Sequence, residues 1–98
     1  MAYGVILEFS SNVGKAQYDA ANEKLSIDMA TGAGDWPKGL VHHAAGTTPD
    51  GFCVYEVWES KAAQEDFMAT RLGPVLAAVG VPAPTRVTEV DVIAHQPV

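Results

Sequence analysis

The chain has 98 residues, 48% hydrophobic and 18% charged, with a formal charge of −6, which fits one globular domain spanning 1–98 and excludes a disordered segment. Six scattered basic residues against twelve acidic ones argue against nucleic acid or an anionic membrane as partner, because both reward clustered Lys and Arg. No apolar run approaches the ~20 residues of a membrane span and no basic-then-apolar leader opens the chain, so a cytoplasmic protein is expected.

Tyr3 to Phe9 alternates as a strand, with Tyr3, Val5, Leu7 and Phe9 on one face and Gly4, Ile6 and Glu8 on the other. Ser10, Ser11 and Asn12 are helix-start residues. The helix they open is predicted to run to about Thr31, its buried stripe made of Tyr18, Ala21, Leu25 and Met29. Asn22 and Asp28 border that stripe; each either reaches water or turns into a pocket. Gly32 to Gly39 is a loop. Its Gly-Ala-Gly follows a helix rather than opening one, so it is no dinucleotide fingerprint. Trp36 in this loop is either an anchor packing it down, the favoured reading, or a lid.

Leu40 to Thr47 is predicted as the second strand and Phe52 to Glu59 as the third, joined by the turn Thr48-Pro49-Asp50-Gly51. Cys53, the single cysteine, sits in an apolar strand pattern and reads as a buried thiol; no internal disulfide can form. Ser60 caps the next helix, whose apolar face is Ala63, Phe67, Met68, Leu72, Val75 and Leu76. Gly73-Pro74 predicts a break or kink, with the helix resuming to Val79 and Gly80 closing it. Thr85 to Ala94 is the last strand, and His95 to Val98 a loosely held tail.

The order β-α-β-β-α-β is that of the ferredoxin-like α+β fold, a four-stranded antiparallel sheet with both helices on one face. The opposite face also carries Val and Tyr and would be left wet in a lone copy. Packing two sheets face to face in a homodimer covers it.

Val57-Trp58-Glu59-Ser60, Phe67, Leu72-Gly73-Pro74 and His43-Ala44-Ala45-Gly46 before the Asp50-Gly51 turn together resemble the dimeric α/β-barrel superfamily. The likeness is to its antibiotic-biosynthesis-monooxygenase-like proteins, in particular small actinobacterial members. The resemblance covers nearly the whole chain and implies the fold more strongly than an activity, since the superfamily spans cofactor-free oxygenases, haem-degrading enzymes, isomerases, cyclases and proteins without known activity. Many oxygenase-like members carry a His nine positions after the strand-three Trp, where this chain has Phe67. Haem ligation from that position is therefore ruled out, and no cofactor is expected.

The resemblance also implies that Trp58 faces the helices, which puts Glu56 in the same layer. A three-residue loop would pair Thr48 with Phe52 and set His42 opposite Trp58; a loop one residue longer, or a bulge, would put His43 opposite Glu56. Ladder geometry favours His42 and the resemblance favours His43. Either is the residue type that serves as a general base near neutral pH, here held by Glu56. That role suits proton abstraction from an acidic phenol or anthrone in a flat apolar slot formed by Trp58, Trp36, Tyr18 and Phe67. The plainer readings are a structural histidine, and a Glu56 paired with Arg71 or Arg86. A metal site is not expected, because adjacent strand histidines point to opposite faces.

Overall fold

The computed structural model describes residues 2–96. Its elements are β1 (Ala2–Phe9), α1 (Lys15–Leu25), β2 (Leu40–Thr48), β3 (Gly51–Trp58), α2 (Lys61–Phe67), a π-helical segment (Met68–Leu72), α3 (Gly73–Ala78) and β4 (Arg86–Val92). The strands form one antiparallel sheet in the order β2-β3-β1-β4. This is the expected α+β ferredoxin-like arrangement.

Alternation decides which residues go inside. Val5, Leu7 and Phe9 of β1 lie beside Phe52, Val54 and Trp58 of β3 on one face, and all are buried. Val13, Leu25, Phe67 and Val81 close over them from the helical layer. Trp58 has no exposed surface at all. Cys53 is buried, as its apolar setting predicted.

Helix α1 is shorter than its periodicity suggests. It starts at Lys15, where the Gln17 side chain accepts the Gly14 N–H at 3.0 Å, and not from Ser10–Asn12. Ser10 instead accepts the Val13 N–H in a turn that carries Val13 into the core. The helix stops at Leu25 because Ser26 takes a left-handed conformation, φ 60°, and the Ile27 N–H returns to the Asn22 carbonyl. Asp28 then ties a local turn by accepting the Ala30 and Thr31 N–H groups. Met29 is therefore exposed and not part of the buried stripe. Gly34, at φ 123°, lets this loop pass against Ser26, since a Cβ there would stand 2.2 Å from the Ser26 carbonyl oxygen.

The hairpin corrects the sequence arithmetic. Thr48 pairs with Gly51, so the loop holds two residues, one fewer than the three assumed and not one more, as the alternative that favoured His43 required. The change shifts the ladder by one step and puts His43 opposite Glu56 and His42 opposite Val57. A bulge at Val41 then lets Leu40 face Trp58.

Ser60 Oγ accepts the Ala63 N–H at 3.2 Å, as its capping role predicted. The expected break around Gly73-Pro74 is a π-helical turn: the Gly73 N–H reaches back five residues to the Met68 carbonyl. The wide turn absorbs the ring and missing N–H of Pro74 without ending the helix. Gly80 follows at φ 75°. The tail to Gln96 keeps its side chains exposed; the last two residues of that predicted segment, Pro97 and Val98, lie outside the described residues. No helix among the described residues is long and apolar enough to cross a membrane.

Candidate functional site

Between the sheet and helices lies a cavity of about 70 Å³, walled by apolar side chains such as Leu7, Val54, Phe67 and Leu76. Five residues bring polar atoms to its wall: Gln17, Tyr18, Asn22, His43 and Glu56 from α1, β2 and β3, with Trp36 at its rim. An open groove of about 700 Å³ adjoins it between α1 and the free edge of β2, and Tyr18, Asn22, Ile27 and Phe52 line both spaces. The enclosed part has room for roughly five waters at ~10–15 Å³ each.

Three of the polar residues, Tyr18, His43 and Glu56, form one hydrogen-bonded chain with Trp58. Trp58 Nε1 donates to Glu56 Oε1 at 3.1 Å. Glu56 Oε2 lies 3.1 Å from His43 Nδ1, and His43 Nε2 lies 2.6 Å from the Tyr18 hydroxyl. As a carboxylate, Glu56 only accepts, so it holds the His43 proton on Nδ1. His43 Nε2 then offers its lone pair and Tyr18 O–H donates to it. Glu56 is 5% exposed, and a carboxylate that buried is tolerable because two N–H donors meet it. The base–orienter logic is that of a hydrolytic triad with a phenol in the place of the serine.

Tyr18 stacks nearly parallel on the His43 ring at 5.9 Å, and Trp36 meets the same ring edge-on. Burial, first of all, raises the Tyr18 phenol above its ordinary value, and the charge of Glu56 adds to the rise; the Asn22 amide beside it acts in the opposite sense. That amide does not reach hydrogen-bond geometry: Asn22 Nδ2 is buried without a partner.

The structure thus gathers His43, Glu56, Tyr18, Trp36 and Phe67 around one cavity. Trp58, expected to form part of the slot, does not line it: its ring is wholly buried in the core and only its Nε1 reaches the site, through Glu56. His42 is left out. His42 lies on the open face of the sheet, its Nε2 3.2 Å from His95 Nδ1, because neighbouring strand residues alternate and the two-residue turn gives the inner face to His43. Asp28 is outside the cavity and lines the adjoining groove instead; it is exposed, and the Thr31 side chain, then the Ala30 and Thr31 N–H groups, hold its carboxyl below the usual range. Neither arginine reaches Glu56. Arg86 pairs with Glu8, and Arg71 with Asp35.

Trp36 joins both readings made for it, since its Nε1 donates to the Gly32 carbonyl at 2.9 Å while its ring borders the cavity. Phe67 packs on Trp58 with ring centroids 5.6 Å apart. Sequence reasoning offered Arg71 only as a partner for Glu56 and missed that it straps the loop down by donating to the carbonyls of Leu25 at 3.0 Å and Asp35 at 2.7 Å. Its one local signal is its spacing four residues after Phe67, over whose ring its guanidinium sits. Among the described residues, no three His, Cys, Asp or Glu side chains converge as a metal site.

No family model and no curated protein matches the chain. Solved structures do match. A Chloroflexus aurantiacus protein, provisionally assigned as an antibiotic biosynthesis monooxygenase, is 16% identical with a TM-score of 0.65 over 99% of this chain and 98% of its own. Rv0793 from Mycobacterium tuberculosis is 17% identical with a TM-score of 0.66 over 99% and 100%. NE2512 from Nitrosomonas europaea, a protein of unknown function, is 19% identical with a TM-score of 0.63 over 98% and 91%. At such identities the likeness is one of fold: the chain shares the α+β architecture of the antibiotic-biosynthesis-monooxygenase-like structures.

Proposed function

We propose that the chain is a homodimeric, cytoplasmic small-molecule protein of the cofactor-independent monooxygenase type, in which His43 receives a proton from an acidic aromatic substrate. The observation that carries this reading is the chain Tyr18–His43–Glu56–Trp58, which ends at a largely apolar cavity. His43 Nε2 has its lone pair directed at Tyr18 O–H. A substrate proton can move onto Tyr18 Oη as the Tyr18 proton moves onto His43 Nε2. The imidazolium so formed is stabilised by Glu56, and Trp58 keeps that carboxylate in place. For an anthrone, the resulting carbanion passes an electron to dioxygen. Recombination gives a hydroperoxide that loses water to leave a new carbonyl. The methylene supplies all the electrons that dioxygen takes up, so no reductant is consumed.

Oxygen uptake with anthrone as probe tests the proposal. His43→Ala should lower the rate about 10²–10⁴-fold, the usual worth of a positioned base. His42→Ala, on the other sheet face, should leave it unchanged. Equal rates for His43→Ala and the wild type would sink the proposal. The narrow inner cavity favours one alternative, a non-catalytic ligand-binding or accessory dimer, for which the wild type binds an aromatic probe without consuming oxygen.

Dimerisation rests on the open sheet face. Tyr55 and Val90 are exposed there, and Val57 and Ile6 lie between them in the ladder. A second copy packed on that face would cover this patch and leave the cavity, on the other side of the sheet, accessible.

A further inference from the structure

The chain holds three histidines, and the cavity uses one of them, His43. The other two meet on the opposite side of the sheet. His42 Nε2 lies 3.2 Å from His95 Nδ1, with the ring planes 80° apart and the centroids 5.2 Å apart. His42 is the third residue of β2, and His95 lies three residues beyond the end of β4. Those strands are the two edges of the sheet, about 14 Å apart at ~4.8 Å per step. The tail therefore crosses the open face, past β1 and β3, to bring the two rings together.

A hydrogen bond alone is a weak reason for that crossing. The ladder of β4 ends at Val92, and the side chains of 93–96 are exposed. Among the described residues, the one side-chain hydrogen bond of 93–96 is the contact with His42. An exposed bond between two neutral rings returns less free energy than fixing three residues of backbone costs.

The spacing suits a shared ion. Two imidazole nitrogens, each about 2.0–2.1 Å from one zinc ion at the tetrahedral angle, stand about 3.3 Å apart, close to the separation of this pair. Both contacting nitrogens offer a lone pair once each neutral ring carries its proton on the far nitrogen, Nδ1 of His42 and Nε2 of His95. Imidazole suits zinc, nickel and copper, whereas magnesium and calcium take oxygen ligands. Adjacent His42 and His43 cannot share an ion, since they face opposite sides of the sheet, but the fold supplies His42 with a partner 53 residues away. Two protein ligands are fewer than the three of a catalytic zinc site, so water completes the shell and the ion exchanges with solution.

We propose that His42 and His95 form a clamp for a divalent transition-metal ion of the zinc class, which fastens the C-terminal tail across the open sheet face. The clamp lies on the face away from the cavity and does not depend on the proton-transfer reading.

The test is titration of the untagged chain with zinc chloride by isothermal calorimetry, with magnesium chloride as control. The wild type should bind one zinc ion per chain and no magnesium. His42→Ala and His95→Ala should each weaken zinc binding at least tenfold, and His43→Ala should keep it within twofold. His95 is exposed, so His95→Ala leaves the fold intact and reads the clamp by itself. Saturating zinc should slow amide hydrogen exchange across 93–96 at least fivefold in the wild type and in neither clamp variant. No zinc binding by the wild type, or binding kept within twofold in both clamp variants, would overturn the proposal. Loss of binding in His43→Ala alone would overturn it too, by placing the ion at the cavity. Tail exchange unchanged by saturating zinc would show that the ion fastens nothing.

Discussion

Replacing Glu56 by Gln and by Leu separates its two roles, satisfying donors and setting the His43 tautomer. Glu56 accepts from Trp58 Nε1 and from His43 Nδ1, both at 3.1 Å, in a buried setting. Trp58 Nε1 can only donate, so in Glu56→Gln the carbonyl oxygen of the new amide must face it. The amide NH₂ then faces His43 Nδ1, which must turn acceptor, and the ring proton moves to Nε2. Tyr18, 2.6 Å away, becomes the acceptor. Every bond survives, those at His43 in reversed polarity, but two charge-assisted bonds of about 1.5–3 kcal/mol each become neutral ones of about 0.5–1.5 kcal/mol. Part of that loss is offset because an amide is easier to bury than a carboxylate. A net cost of about 1–2 kcal/mol should lower Tm by roughly 5–15 °C in a chain of this size. Glu56→Leu instead orphans the Trp58 and His43 donors at about 1–3 kcal/mol each and should melt clearly lower still. Thermal melts by circular dichroism rank the variants, and ¹⁵N NMR of the imidazole reports the tautomer. If His43 keeps its proton on Nδ1 in Glu56→Gln, or if Glu56→Leu melts at or above Glu56→Gln, the proton assignment of the site is wrong.

Arg71→Ala should cost about 1–2 kcal/mol and speed amide hydrogen exchange across 26–39, because the guanidinium ties the Leu25 and Asp35 carbonyls to the helical layer; unchanged exchange there would show that the strap holds nothing. The double variant Tyr55→Lys and Val90→Lys should convert a species of twice the 10.3 kDa chain mass into a monomer in sedimentation equilibrium, since both residues are exposed on the open sheet face; a wild type that is already monomeric at micromolar concentration would refute the dimer. Gly51→Ala should destabilise by roughly 2–3 kcal/mol, or about 10–20 °C, because its Cβ would stand 2.1 Å from the Phe9 carbonyl oxygen and neither backbone can give way. A melt within about 2 °C of wild type, against that expected shift, would show that the strands separate there without cost.

Much of the architecture was legible because each strand writes its own alternation. Tyr3 to Phe9 sorted its residues into two faces unaided, the inward turn of Trp58 and Glu56 was implied by the family resemblance, and Ser60 marked the start of α2 by its chemistry alone. What failed was counting across turns. Helical periodicity continues past Leu25 as far as Met29, yet Ser26 ends the helix because Asp28 and the bridge from Ile27 to Gly34 offer the backbone a better set of bonds. The choice between His42 and His43 hung on one residue of loop length, which Pro49 and Asp50 do not declare. Asn22 was visible as a polar intruder in an apolar stripe, but its lack of a partner depends on where α1 meets β2. That is a property of the assembled layers.

The hairpin tip has a consequence for how such a chain can change over time. From His42 to Thr48, each side chain of β2 is assigned to the interior or exterior by the parity of a turn at the strand's far end. Inserting or losing a single codon there would exchange one imidazole for the other beneath the helices, with every residue around the hollow outside β2 unchanged. The proton transfer proposed for His43 could therefore be gained or silenced in one genetic step at a position remote from the cavity.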